Sequence, residues 1–200
     1  MRTHIFPFLT IFLPLSFSFI LSTVHLSLVA SSSSSNLIQD TCKKCSDTDP
    51  NLKYNFCTGS FESSPDGRQC TSLRDLGLVS IRLTKNNVTS TKHFIKHLLH
   101  NDKKKKKLDP YVKACLTDCM ELFNDALSTI KVVVKDYKAK RYDDANINLS
   151  SVLDASSTCE DGFKESDSTK KHVVSPLTKR NDNAFQLTAI SLSIINMLHN

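Results

Sequence analysis

Cys119 and Cys159 each fall on an apolar stripe of helical period, and together they constrain this chain more than any other pair of residues. Val112, Cys115 or Leu116, Cys119, Leu122, Phe123, Ala126, Ile130, Val133 and Tyr137 recur at the spacing of one helix face. Ala145, Leu149, Val152, Ser156, Cys159 and Phe163 step by four, three, four, three and four. A bend near Lys140-Arg141 leaves each cysteine roughly twenty residues away, so antiparallel helices rising about 1.5 Å per residue bring the two to similar heights. A bond there would clamp two helices at mid-length; the alternative is two buried free thiols.

Two further helical patterns flank this pair. Leu73, Leu76, Val79, Leu83, Ser90, Phe94 and Leu98 read as the inward face of a long helix that ends at Asn101-Asp102. Asp109 is a suitable cap for the next helix, and Pro110 suits its first position, where a missing N–H costs nothing. Residues 164–183, rich in Ser, Asp and Thr, read as a loop, followed by a last helix over 184–198 with Phe185, Leu187, Ile190, Ile194 and Leu198 on its face. No segment alternates as a strand does, and there are only 4 glycines and no tryptophan. The expected fold is all-α: an up-down-up-down four-helix bundle. Ahead of it, two short helical pieces around a polar turn at 47–51 make a small hairpin closed by Cys42 and Cys57, and 59–70 reads as a loop.

The N-terminus has the layout of a secretory signal: Arg2, an apolar stretch from Ile5 to Ala30, then serines 31–35. Such a stretch could also span a bilayer, but Pro7 and Pro14 interrupt it and no basic stop-transfer cluster follows. We therefore expect residues 1–30 to be removed, leaving one exported domain over 36–200 that holds no membrane segment. An oxidising compartment also suits 7 cysteines. Cys45, Cys70 and Cys115 are left over; Cys45 and Cys70 could pair, and an odd count leaves at least one thiol free or bonded between chains. Asn87-Val88-Thr89 and Asn148-Leu149-Ser150 are glycosylation sequons, both inside helical patterns.

The chain carries 26 basic and 20 acidic residues. Losing Arg2 with the leader leaves a surplus equal to the lysine run at 103–107, which reads as a solvated loop tip rather than a contact for nucleic acid, acidic lipid or polyanionic pectin; an exported chain rarely meets nucleic acid. No catalytic constellation is present: no Gly-x-Ser-x-Gly and no His-Glu-x-x-His. Cys42-Lys43-Lys44-Cys45 has the spacing of a redox or zinc motif but lacks a second metal pair and a strand-turn-helix setting. His93, His97 and His100 follow helical spacing without a carboxylate or cysteine partner, so no metal or other cofactor is expected. Asp143-Asp144 and Glu160-Asp161 are neighbours whose side chains diverge on a helix, which does not make an acid/base pair.

Taken together, Leu37-Ile38 before Thr41-Cys42, Tyr54-Asn55-Phe56-Cys57, Asp118-Cys119, Thr158-Cys159-Glu160-Asp161-Gly162-Phe163 and residues 186–192 resemble the plant invertase/pectin methylesterase inhibitor family. Leu76-Gly77, residues 158–164 and Val174-Ser175-Pro176 are similar to its pollen-type invertase inhibitors. The resemblance implies a four-helix bundle behind a helical hairpin, with Cys42 bonded to Cys57 and Cys119 to Cys159. It implies a protein inhibitor, not an enzyme, found in the apoplast (the cell wall space) or the vacuole, whose partner is an acid invertase or a pectin methylesterase. It also implies that the turn at Lys140, Arg141 and Tyr142 contacts the target: the family's invertase branch carries Pro-Lys-Phe there, and here the cation and the ring are kept in type while Lys140 replaces the proline. From the residues alone, a non-inhibitory structural module is the other reading.

Overall fold

The computed structural model describes residues 34–102, 108–165 and 173–199. The expected leader, the lysine run and part of the connection before the last helix lie outside the described residues. The described residues form α1 (34–48), α2 (Tyr54–Glu62), α3 (Pro65–Arg68), α4 (Leu73–Asp102), α5 (Pro110–Lys138), α6 (Tyr142–Lys164) and α7 (Thr178–His199), with no strand among them. α4 to α7 pack consecutively and α7 closes back onto α4, which makes the up-down-up-down bundle.

The α5–α6 pair has the most regular packing. Leu116, Cys119, Phe123, Ala126, Ile130, Val133 and Tyr137 are all buried at alternating steps of three and four, as are Ala145, Leu149, Val152, Ser156, Cys159 and Phe163 on α6. That repeat keeps one seam facing a partner along the whole helix. Cys119 and Cys159 are bonded in this seam with Cα atoms 5.0 Å apart. Asp109 caps α5, its Oδ1 accepting from Tyr111 N at 2.8 Å and Val112 N at 3.4 Å, and Pro110 takes the first turn.

The inward face of α4 differs from the stripe expected for it. Beyond Val79 the buried positions are Ser80, Ile81, Thr84, Val88, Thr91 and Ile95, whereas Ser90 is exposed and Leu83, Phe94 and Leu98 sit at the margin. Helix carbonyls satisfy two of the hydroxyls at core positions: Ser80 Oγ donates to Gly77 O at 2.8 Å and Thr84 Oγ1 to Ser80 O at 3.0 Å, whereas Thr91 Oγ1 is buried without a hydrogen-bond partner. On α7, Thr188 and Ser191 donate to Ala184 O and Leu187 O at 2.7 and 2.9 Å. Small hydroxyl side chains thus meet in part of the α4–α7 contact, where Thr84 Oγ1 and Ser191 Oγ are 3.5 Å apart.

α7 starts at Thr178, six residues before the expected 184, so the loop expected over 164–183 is shorter at both ends. Tertiary contacts hold its polar first turns. Asn181 Nδ2 donates to Glu160 Oε2 at 2.8 Å, Thr178 Oγ1 to Glu160 Oε1 at 2.7 Å, and the Arg180 guanidinium lies 4.3 Å from the Phe94 ring centre. Likewise 59–70 is not all loop: α2 runs on to Glu62, and Ser64 caps the single turn α3.

The α1–α2 hairpin is closed by Cys42–Cys57, Cα atoms 5.6 Å apart. Its apolar face (Ile38, Cys45, Leu52, Phe61) packs on Leu76 and Val79 of α4 and Ala189, Ile190 and Ile194 of α7. Buried Gln186 clamps its turn, accepting from Lys53 N at 3.0 Å and donating to Asn51 O at 2.7 Å. α7 is therefore covered on both sides, which explains why every residue from 186 to 191 is buried.

Cys45, Cys70 and Cys115 are all buried thiols, so the pair considered for Cys45 and Cys70 is not formed. Burial pushes the Cys45 thiol up to about 11. At pH 8 roughly one molecule in a thousand would carry the Cys45 thiolate, by the tenfold-per-unit rule. A thiol-reactive chromogenic disulfide at pH 8 is expected to leave Cys45 unmodified in the native protein and to modify it in guanidinium.

Gly77 is required by a close approach. A Cβ there would stand 2.1 Å from Tyr137 Oη and 2.9 Å from Ile194 Cγ2. Tyr137 Oη donates to Arg74 O at 2.8 Å, so the ring cannot retreat without losing that bond. Gly77→Ala is expected to destabilise the protein by about 1–3 kcal/mol through overpacking, read as a lower urea midpoint at unchanged slope.

Candidate functional site

The turn joining α5 to α6 combines backbone strain, a buried charge and exposed apolar side chains at one end of the bundle. Arg141 N donates to Asp136 O at 2.9 Å and Lys140 N to Tyr137 O at 3.0 Å. This is the paired pattern of a Schellman helix end, which needs a left-handed residue between. Lys140 fills it with φ of 60°, where glycine is usual, so its side chain stands at the tip at a cost of about 1–2 kcal/mol. It is exposed and makes no ion pair with a described residue.

Arg141 is turned inward. Its guanidinium hydrogen-bonds Asp136 Oδ1, and its Nε donates to Asp144 Oδ2 at 3.1 Å. The Asp136 side chain is 6% exposed and the Arg141 side chain 47%. Asn148 Nδ2 donates to the other Asp136 oxygen at 3.3 Å. The bond to Asp136, followed by the surrounding negative charge, raises the Arg141 pKa further above its already high ordinary value. Tyr142 meets Tyr137 edge to face, centroids 5.6 Å apart. The turn thus presents Lys140 outward and uses Arg141 and Tyr142 largely to brace itself.

Beside it, Tyr142, Asp143, Asn146, Ile147, Ile195, Asn196 and His199 line a cleft of about 220 Å³. His199 Nδ1 and Asp143 Oδ1 are 3.2 Å apart, and Asn146 Nδ2 donates to Asn196 Oδ1 at 2.6 Å, tying α6 to α7. Ile147 is 70% exposed. A larger groove of about 390 Å³ runs between α6 and α7, but its carboxylates are engaged: Glu160 with Thr178 and Asn181, Asp161 with Lys164, Asp182 with Lys53. That groove is a knitted seam between helices.

Asn87 and Asn148, the sequon asparagines, are half-buried within helices, and Asn148 is already engaged with Asp136. His93, His97 and His100 stand exposed on α4, His97 within 3.1 Å of Asn101 Nδ2. Among the described residues no group of His, Cys, Asp and Glu is placed to hold a metal ion, and no helix is long and apolar enough to cross a membrane. Sequence reading missed Asp136, a polar residue between two stripe positions whose role appears only when α5 and α6 are joined.

Arg141→Ala strands the buried Asp136 carboxylate with one remaining side-chain donor and is expected to lower the urea midpoint. Lys140→Gly removes the left-handed strain and is expected to raise stability by up to about 1 kcal/mol in the same assay.

Residues 36–194 match the plant invertase/pectin methylesterase inhibitor family. The chain is 41% identical over 165 residues to a Platanus acerifolia protein named "Putative invertase inhibitor", covering 82% of this chain and 87% of that one. It is 34% identical over 162 residues to pectinesterase inhibitor 12 of Arabidopsis thaliana, covering 81% and 87%. Among solved structures, a mutant form of a pectin methylesterase inhibitor from Arabidopsis shares the fold, with a TM-score of 0.60 at 19% identity over 73% of this chain and 90% of that one. With a family match over most of its length, two relatives above 30% identity and the helical fold in common, this chain belongs to the plant invertase/pectin methylesterase inhibitor family.

Proposed function

We propose that the protein is an exported inhibitor of an acid invertase, blocking the sugar pocket with the α5–α6 turn. The observation that carries this reading is the exposed Lys140 on a strained, braced turn beside the Tyr142 ring. The 41% identical Platanus relative, named an invertase inhibitor, supports the choice of target. A glycosidase pocket holds paired carboxylates. A lysine tip offers them charge-assisted hydrogen bonds, and the exposed Ile147 offers the rim an apolar contact. A braced turn loses little freedom on docking, which favours affinity. The two disulfides suit an oxidising space such as the cell wall or vacuole. A second reading, inhibition of a pectin methylesterase, rests on the 34% identical Arabidopsis relative.

The test is inhibition of purified acid invertase and, separately, of pectin methylesterase at pH 5. Micromolar protein is expected to abolish invertase activity. Lys140→Ala with Tyr142→Ala is expected to weaken that effect about tenfold or more, the loss of an anchoring contact. Loss of pectin methylesterase activity alone establishes the second reading. Loss of neither contradicts both and leaves a helical module without an enzyme target.

A further inference from the structure

α4 carries a cationic stripe that the turn and its cleft do not use. Arg82, Lys85, Lys92, His93, Lys96, His97 and His100 lie on the outer arc of this helix, opposite the buried Ile81, Thr84, Val88, Thr91 and Ile95. Over those 18 steps the stripe extends about 27 Å. No acidic residue occurs in α4 between Arg82 and His100. At its start Arg82 is neutralised by Asp66 at 2.9 Å. Farther along, Lys85, Lys92 and Lys96 form no ion pair with a described residue. Arg180 of α7 adds a cation at one edge, where it donates to Ser90 Oγ at 3.2 Å.

We propose that this face of α4 binds a linear polysaccharide bearing carboxylates. The charge is arrayed along a line, and a polyuronate is a line of single negative charges separated by hydroxyls. Asn86 and Ser90 lie along the stripe as hydrogen-bonding groups for those hydroxyls. A protein partner would need a desolvated apolar or aromatic anchor. The exposed large apolar residues, Tyr54, Val132, Ile147 and Val174, are all outside α4. A single-stranded nucleic acid would favour large rings for stacking, and the one Phe or Tyr ring at the edge of the stripe, Phe94, is covered by Arg180, which leaves only the imidazoles of the stripe. The binding is electrostatic in origin, so it steers the protein to a polyanionic matrix and weakens with salt. It is independent of which enzyme the turn addresses.

The experiment is binding of the full mature chain to immobilised polygalacturonate at pH 5, with fully methyl-esterified polygalacturonate and duplex DNA as parallel arms. Binding to polygalacturonate and not to the neutral ester, lost between 50 mM and 500 mM salt, is expected from charge pairing of this kind. K85E/K92E/K96E, checked for native circular dichroism, is expected to weaken it about tenfold or more; K85Q/K92Q/K96Q, milder for folding, is expected to weaken it less. A variant with lysines 103–107 replaced by serine keeps most of the binding. The proposal is overturned by unchanged binding in both α4 variants, by loss of binding in the 103–107 variant alone, or by equal affinity for DNA. None of these outcomes depends on enzyme inhibition, so this inference and the inhibitor reading fail separately.

Discussion

The bond between Cys119 and Cys159 fixes the register of α5 against α6, and the rest of the structure depends on that register. It lies toward the end of the seam away from the turn, one step from Leu116 on α5 and one from Phe163 on α6, and it sets the height at which every three-and-four step on one helix meets the other. In the chain-entropy picture, closing its 40-residue loop contributes about 4 kcal/mol. Its larger consequence is geometric. With the seam fixed, Asp136 at the end of α5 faces Asn148 and Arg141 at the start of α6, and the turn has one conformation to adopt.

A second constraint meets the first at the same end of the bundle. Tyr137 passes beneath α4 at Gly77 and bonds Arg74 O, while the Arg74 guanidinium donates to Lys138 O at 3.1 Å. The end of α5 is therefore tied to the start of α4 as well as to α6. The N-terminal hairpin adds a cover to α7, held by apolar packing, a disulfide and the Gln186 clamp. A long bundle with its ends tied down presents a stiff tip, and stiffness is what an inhibitor requires of a surface that must fit a preformed pocket.

Much of this could be read in the residues, where the pattern was apolar and local. The stripes of α5 and α6, the Asp109-Pro110 start and the all-helical class needed only periodicity and capping chemistry. The face of α4 was misjudged because Thr84 and Thr91 hold core positions that polarity alone assigns to the surface. The first turns of α7 were read as loop because their helix is held by Glu160 and Phe94, contacts that only the fold brings near. The turn residues were located from the family pattern, but the inward pairing of Arg141 depends on Asp136, which no spacing rule singles out.

The α5–α6 turn is a rigid, internally braced projection, and inhibition by the protein depends on that rigidity. Amide hydrogen exchange at Arg141, whose N–H donates to Asp136 O, tests this most directly. The predicted result is strong protection of this amide, approaching that of mid-helix amides in α5, with protection falling in Asp136→Ala. Exchange of the Arg141 amide at the rate of an unstructured chain would contradict it.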